Sequence, residues 1–148
     1  MKRTASAQWR GNLRQGKGIL NTESGALSKL PYSFAKRFGD EKGTNPEELI
    51  GAAHSGCFAM AFSGELEKKN LQAETIDVKA IVSVEKAGEG WSINTIHLDV
   101  RVDVPGAARN QIEEAAQAAK KNCPVSQLLN AEITMNLDIS SQENVAYQ

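Results

Sequence analysis

Asn45-Pro46-Glu47-Glu48-Leu49-Ile50-Gly51-Ala52-Ala53-His54-Ser55-Gly56-Cys57-Phe58-Ala59-Met60 opens the longest apolar stretch of the chain. Pro46 suits a first helical position, where its missing N–H is not needed. Asn45 or Thr44 can cap the end, and Glu47 and Glu48 stand where the helix dipole favours negative charge. From there to Phe62 nearly every residue is small or apolar, so the spacing predicts a long central helix over 46–69, buried in a core. Asn70 is a suitable stop. One of only two cysteines and a histidine lie inside this helix, and a thiol in the best-buried element points to chemistry.

Working outward, residues 4–38 read as strands and turns. Ala5, Ala7 and Trp9 alternate with polar neighbours, Gly11-Asn12 marks a turn, and Gly18–Thr22 forms a second strand. Tyr32–Phe38 is expected to be extended, with Tyr32, Phe34, Lys36 and Phe38 on one face and Arg37 on the other. After the central helix, Ile76, Val78, Ala80, Val82 and Val84 alternate with mostly polar residues. Gly88-Glu89-Gly90 turns the chain, and Ile96, Leu98, Val100, Val102 and Val104 alternate again, which predicts a long antiparallel hairpin with one wet face. Ala107–Asn122 is a second helix with Ile112, Ala115, Ala116 and Ala119 inward. Pro124 breaks it and can open a short helix. Ile133, Met135, Leu137 and Ile139 make a last strand. The pattern is α+β with antiparallel sheets around a long buried central helix plus a second helix, and not a βαβ series. Residues 1–140 are expected to form a single domain, with 141–148 a polar C-terminal tail.

With 148 residues and a net charge of −1, the composition is that of one folded domain. Nothing in it favours nucleic acid or an anionic membrane as a partner. The basic N-terminus lacks the apolar segment of a signal peptide, and the run from Leu49 to Phe62 is too short to span a bilayer. A cytoplasmic protein is therefore expected. Two cysteines are too few for a secreted disulfide scaffold. No dinucleotide fingerprint, phosphate loop or G-x-S-x-G is present.

Cys123, just before Pro124, falls at the N-cap of the short helix, where free N–H groups stabilise a thiolate. Cys57 is deeper and becomes a nucleophile only with a cation or donor beside it; Arg37 and His54 are the candidates. His54, three residues earlier, shares its helical face, and a core histidine with one hydrogen bond is the plainer reading. Glu47 is ten residues before Cys57, about 15 Å along a helix. If both serve one site, Glu47 must come from a second copy whose helix crosses antiparallel near Ala52, flanked by Gly51 and Ala53, which predicts a homodimer. Otherwise Glu47 is a helix-dipole carboxylate. His54, Cys57 and Cys123 also offer three soft ligands for zinc, but no C-x-x-C and no fourth ligand accompany them. A redox-sensing or ligand-binding protein in which the thiols only sense or pack also stays open.

Glu41–His54 with Cys57-Phe58 resembles the signature of the OsmC family, the osmotically inducible bacterial peroxidases, and Cys123-Pro124-Val125-Ser126-Gln127 resembles its second cysteine motif. Trp9, Gly16–Gly18, Thr22–Gly25, Pro31-Tyr32 and Arg37-Phe38 also fit. The likeness covers nearly all of the chain up to Ser140. The context of His54 and the long loop before Arg37 place it nearer the OsmC branch than the sister organic hydroperoxide resistance branch.

The resemblance implies a thiol-dependent hydroperoxide reductase acting in oxidative and osmotic stress, on organic hydroperoxides and less efficiently on hydrogen peroxide. Cys57 would be the peroxidatic cysteine and Cys123 the resolving one. Arg37 would stabilise the Cys57 thiolate and polarise the peroxide, with Glu47 holding Arg37. It further implies an intertwined homodimer with active sites at the subunit interface, no resident cofactor, no metal, and an external dithiol reductant, expected to be a dihydrolipoyl protein. An apolar pocket at Phe58 and Phe62, beside Met60, would favour an alkyl tail on the substrate.

Overall fold

The computed structural model describes residues 1–140; the expected 141–148 tail lies outside the described residues. The chain divides into two compact units, Met1–Leu49 and the remainder from Ile50.

The first unit is an antiparallel meander of β1 (Ala5–Arg10), β2 (Lys17–Thr22) and β3 (Leu30–Tyr32), in that order. Gly18 opposes both Trp9 and Tyr32 in the register. The two rings approach to 5.4 Å between centroids over it, leaving no room for a side chain there. Every residue of β1 except Trp9 is exposed, and no hydrophobic residue of this unit is fully buried.

The expected strand over Tyr32–Phe38 is corrected. Only Tyr32 belongs to β3, and Phe34–Phe38 form a short helix, α1. Ser33 caps it by accepting the Lys36 N–H, and Gly39 ends it. Phe34 and Phe38 are four residues apart, a spacing that shares a face in either period, so alternation could not separate the two. Their rings stand 5.1 Å apart.

Helix α2 runs Pro46–Glu67. Asn45 accepts the Glu48 N–H at 2.8 Å as its cap. Its end is a left-handed Asn70 (φ +58°) with Asn70 N–H to Glu67 O and Leu71 N–H to Leu66 O, which satisfies carbonyls the helix leaves open. The helix is not buried all round as expected. Gly51, His54, Phe58, Phe62 and Leu66 are buried, while Ala52, Ala53, Gly56, Met60 and Ser63 are exposed. The outward residues are small except Met60, so their exposure costs little in this chain.

In the second unit, β4 (Thr75–Ala87) and β5 (Gly90–Asp103) form the predicted hairpin, turned at Gly88 with φ +60°. α3 (Arg109–Asn122) buries Ile112, Ala115, Ala116 and Ala119 as the pattern predicts. α4 (Pro124–Leu128) starts at Pro124, and β6 (Glu132–Ile139) closes the unit. The sheet order is β4-β5-β6. Here the expectation of wholly antiparallel sheets is corrected, because β6 runs parallel to β5. The two helices between them supply the crossover a parallel pair requires, so β5-α3-α4-β6 is a βαβ unit after all.

The register sets rows of apolar residues across three strands: Val82, Ile96 and Ile133; Ala80, Leu98 and Met135; Val78, Val100 and Leu137; Ile76, Val102 and Ile139. This face joins one core with Phe58, Phe62 and Leu66 of α2 and the inner residues of α3. Full burial of a Phe or Leu side chain contributes roughly 1.5–3 kcal/mol. The opposite face is polar, with His97 bonded to Thr134, Asn136 to Asp99 and Arg101 to Asp138. No described helix is long and apolar enough to cross a membrane.

Candidate active site

Two clusters contain the residues singled out by sequence. The first lies wholly in the first unit. α1 presents Arg37 at its last turn, and Glu47 stands in the first turn of α2. Arg37 Nη2 donates to Glu47 Oε1 at 2.6 Å, and Nε donates to the same oxygen at 3.0 Å and to Oε2 at 3.2 Å. Glu47 is 6% exposed, whereas the Arg37 side chain is 38% exposed. A fork held on a buried carboxylate has a fixed direction, and its open side is free to meet an anion. The Arg37 guanidinium also lies 4.9 Å from the centre of the Phe38 ring.

The second cluster lies in the second unit and contains both thiols. Pro124 cannot continue α3, so the chain turns extended at Cys123 (φ −54°, ψ 127°) and α4 begins at once. Cys123 is fully buried, Cys57 partly exposed, and both are free thiols. Their sulfurs are 3.1 Å apart.

Burial pushes the Cys57 thiol up, the Val125 N–H lowers it in part, and the neighbouring Cys123 thiol raises it further. No cation acts on it within the described residues. Burial also works against a Cys123 thiolate. The Ser126 N–H, the Cys57 thiol, the Ser126 hydroxyl and the Val125 N–H together outweigh it and leave Cys123 below its ordinary value. This direction is the one expected of a thiol at the start of α4.

His54 is fully buried, and its Nε2 lies 2.8 Å from Ser126 Oγ. Burial holds its pKa below the ordinary value, so it is a neutral imidazole and not a cation for Cys57. Ser126 was not singled out from sequence. The signal that could have found it is its position three residues after the cap Cys123, where a short polar side chain turns back toward the helix start.

Phe58 and Phe62 are fully buried, with ring centroids 5.7 Å apart. Met60, expected to be buried with them, is 78% exposed on the outer face of α2. Among the described residues no three His, Cys, Asp or Glu side chains are grouped to hold a metal ion, so the zinc reading of His54, Cys57 and Cys123 finds no cluster.

The family described as OsmC-like protein matches residues 39–138. Peroxiredoxin OsmC of Escherichia coli K12 is 47% identical over 135 residues, covering 91% of this chain and 94% of that protein. Organic hydroperoxide resistance protein OhrA of Bacillus subtilis is 28% identical over 102 residues, 68% of this chain and 70% of that one. In fold, the chain is similar to an OsmC-like protein of unknown function from Vibrio cholerae, with TM-score 0.73 and 20% identity over 93% of this chain and 99% of that one. It is also similar to the organic hydroperoxide resistance protein OhrB of Bacillus subtilis, with TM-score 0.67 and 24% identity over 91% and 98%.

Proposed function

The chain belongs to the OsmC-like family, and from that membership and its sulfur pair we propose a thiol-dependent hydroperoxide reductase working through a two-cysteine cycle. The observation that carries the reading is the 3.1 Å approach of a partly exposed and a buried free thiol.

In the first step the Cys57 thiolate attacks the outer oxygen of the hydroperoxide and the O–O bond breaks. The OH group passes to sulfur, making Cys57 a sulfenic acid, and the departing alkoxide takes a proton from solvent to leave as the alcohol. In the second, the Cys123 sulfur attacks the Cys57 sulfur and the S–O bond breaks. Water leaves with the proton from Cys123, and a disulfide joins the two residues. In the third, an external dithiol reduces the disulfide by exchange and is itself oxidised. A dihydrolipoyl group on a protein is the reductant we favour, following the family resemblance. The substrate class is organic hydroperoxides, with hydrogen peroxide a poorer member.

A Cys57 thiolate needs a cation beside it, and among the described residues none acts on it. We assign that role to Arg37, aimed by Glu47, from a second copy of the chain. Two observations support an intertwined homodimer. The first unit has no fully buried hydrophobic residue of its own, so it gains a core only by being covered. Ala52, Gly56, Met60 and Ser63 leave an exposed stripe along α2 around the crossing point near Ala52. A cytoplasmic setting, reducing enough to return Cys57 and Cys123 to thiols, completes the reading.

The test is turnover of cumene hydroperoxide with dihydrolipoamide. Cys57→Ser and Cys123→Ser should both abolish multiple turnover, and only Cys57→Ser should prevent the first oxidation. The opposite pattern would exchange the two roles. Absence of turnover in the unmodified protein would leave a redox-sensing or binding role.

A further inference from the structure

His54 is a fully buried polar group, and Phe58, one turn on along α2, is fully enclosed as well. A buried imidazole has to place its one proton where a partner can receive it. Nδ1 is buried and has no hydrogen-bond partner among the described residues. Nε2 has Ser126 Oγ at 2.8 Å. A proton on Nδ1 would be an unpaired buried donor, so the neutral tautomer with hydrogen on Nε2 is the one this surrounding selects. The imidazole then donates to Ser126 Oγ, which frees the Ser126 hydroxyl hydrogen to point elsewhere. Ser126 stands three residues after Cys123 at the start of α4.

The geometry points to His54 as a positioning residue for the resolving half-reaction: by holding Ser126 in the first turn of α4, the helix that Cys123 caps, it sets how the Cys123 sulfur meets oxidised Cys57. This rests on the two-cysteine reading above and assigns His54 to the second thiol, not to the first. The Ser126 hydroxyl is among the groups that favour the Cys123 thiolate, and among the described residues the Cys57 thiol is the one titratable group acting on Cys123. The balance of the step is unchanged. Cys123 gives up its proton, its sulfur forms the S–S bond, and the departing hydroxide of the sulfenic acid takes a proton to leave as water. His54 stays neutral throughout and its contribution is to fix the direction of one hydrogen bond.

The experiment is a rapid-mixing single turnover with cumene hydroperoxide, in which dimedone competes for the Cys57 sulfenic acid. It is carried out on the unmodified protein and on Ser126→Ala, His54→Phe, Ser126→Thr and His54→Gln. Ser126→Ala and His54→Phe should slow disulfide formation about tenfold, the order expected for losing a hydrogen bond to a charged sulfur, and dimedone adduct should accumulate. Oxidation of Cys57 should keep its rate within about threefold. Ser126→Thr keeps a hydroxyl and His54→Gln keeps an N–H near the position of Nε2, so both should recover most of the loss.

Disulfide formation at the unmodified rate in Ser126→Ala would overturn the assignment, as would equal slowing of both half-reactions or a failure of the two conservative variants to recover. A second readout needs no peroxide. In a Cys57→Ser background, the pH midpoint for alkylation of Cys123 by iodoacetamide should rise by about one unit on Ser126→Ala, the equivalent of that tenfold change, and an unmoved midpoint also overturns it. If the unmodified protein forms no disulfide with peroxide, the peroxidase reading falls, and the same alkylation midpoint, read also in His54→Phe, still decides the role of His54: an unmoved midpoint there overturns it.

Discussion

The Cys57 sulfur on α2 and the Cys123 sulfur at the turn between α3 and α4 stand 3.1 Å apart in one chain. A disulfide needs about 2.05 Å between sulfurs, so closure requires a movement on the order of 1 Å, within the reach of side-chain rotation. Intact mass after one equivalent of cumene hydroperoxide, without reductant, should therefore fall by about 2 Da. Peptide mapping should link Cys57 to Cys123 within a single chain. An unchanged mass with both thiols free would remove the peroxidase reading. A linkage between chains would contradict the geometry.

Arg37 and Glu47 make a forked pair whose carboxylate is almost enclosed. With Arg37 removed, Cys57 should lose its cation, and its pKa should rise. Measured by iodoacetamide alkylation against pH in a Cys123→Ser background, Arg37→Ala should show that rise, and oxidation of Cys57 at neutral pH should slow about tenfold or more. Arg37→Lys should recover only part of the rate, since an ammonium cannot reproduce the fork. Glu47→Gln should lie between, keeping an acceptor but not the charge. Arg37→Ala should also destabilise the fold by about 1–2 kcal/mol, since it leaves the Glu47 carboxylate unpaired while the exposed side of Arg37 limits the loss. An unmoved Cys57 midpoint in Arg37→Ala would take Arg37 out of the mechanism.

Asn70 ends α2 in the left-handed region at φ +58°. A Cβ-bearing residue without a local hydrogen bond costs about 1–2 kcal/mol there. Asn70→Ala should lower unfolding free energy by about 1 kcal/mol, and Asn70→Gly should equal or exceed the unmodified chain. Urea denaturation followed by circular dichroism checks both, and equal stabilities for the Ala and Gly variants would show that the helix ends otherwise.

The start and stop of α2 were legible because Asn45, Pro46, Glu47 and Asn70 act locally on the backbone beside them. The hairpin was legible for a similar reason, since Ile96 to Val104 declare their period without help from distant residues. Strand direction is different. Ile133, Met135, Leu137 and Ile139 alternate identically whether β6 runs with β5 or against it, and only the length of the helical connection constrains the choice. Phe34 and Phe38 concealed α1 because their spacing suits both periods, although the Ser33 cap was there to be read. Pro124 acts locally too, and it sets Cys123 at the cap of α4. Its partner Ser126 was passed over because its chemistry depends on His54, seventy-two residues away in sequence. Likewise an unbroken run of small residues on α2 shows that a face is apolar, and leaves open whether this chain or another covers it.

His54 makes stability depend on pH in a direction that can be worked out. Burial lowers its pKa in the folded chain, while in the unfolded chain it is near its ordinary value, about 6.5. Between those two values the unfolded state binds more protons, so stability rises with pH across that window. The contribution is fully present above about 6.5 and is lost as pH falls through the folded-state value. Thermal unfolding followed from pH 8 down to pH 5 should therefore show a loss that begins near about 6.5, above the range in which carboxylates titrate. His54→Gln should flatten the curve in this window, because Gln carries no titrating group. Equal slopes in the unmodified chain and in His54→Gln would mean that His54 is not held neutral by its surroundings.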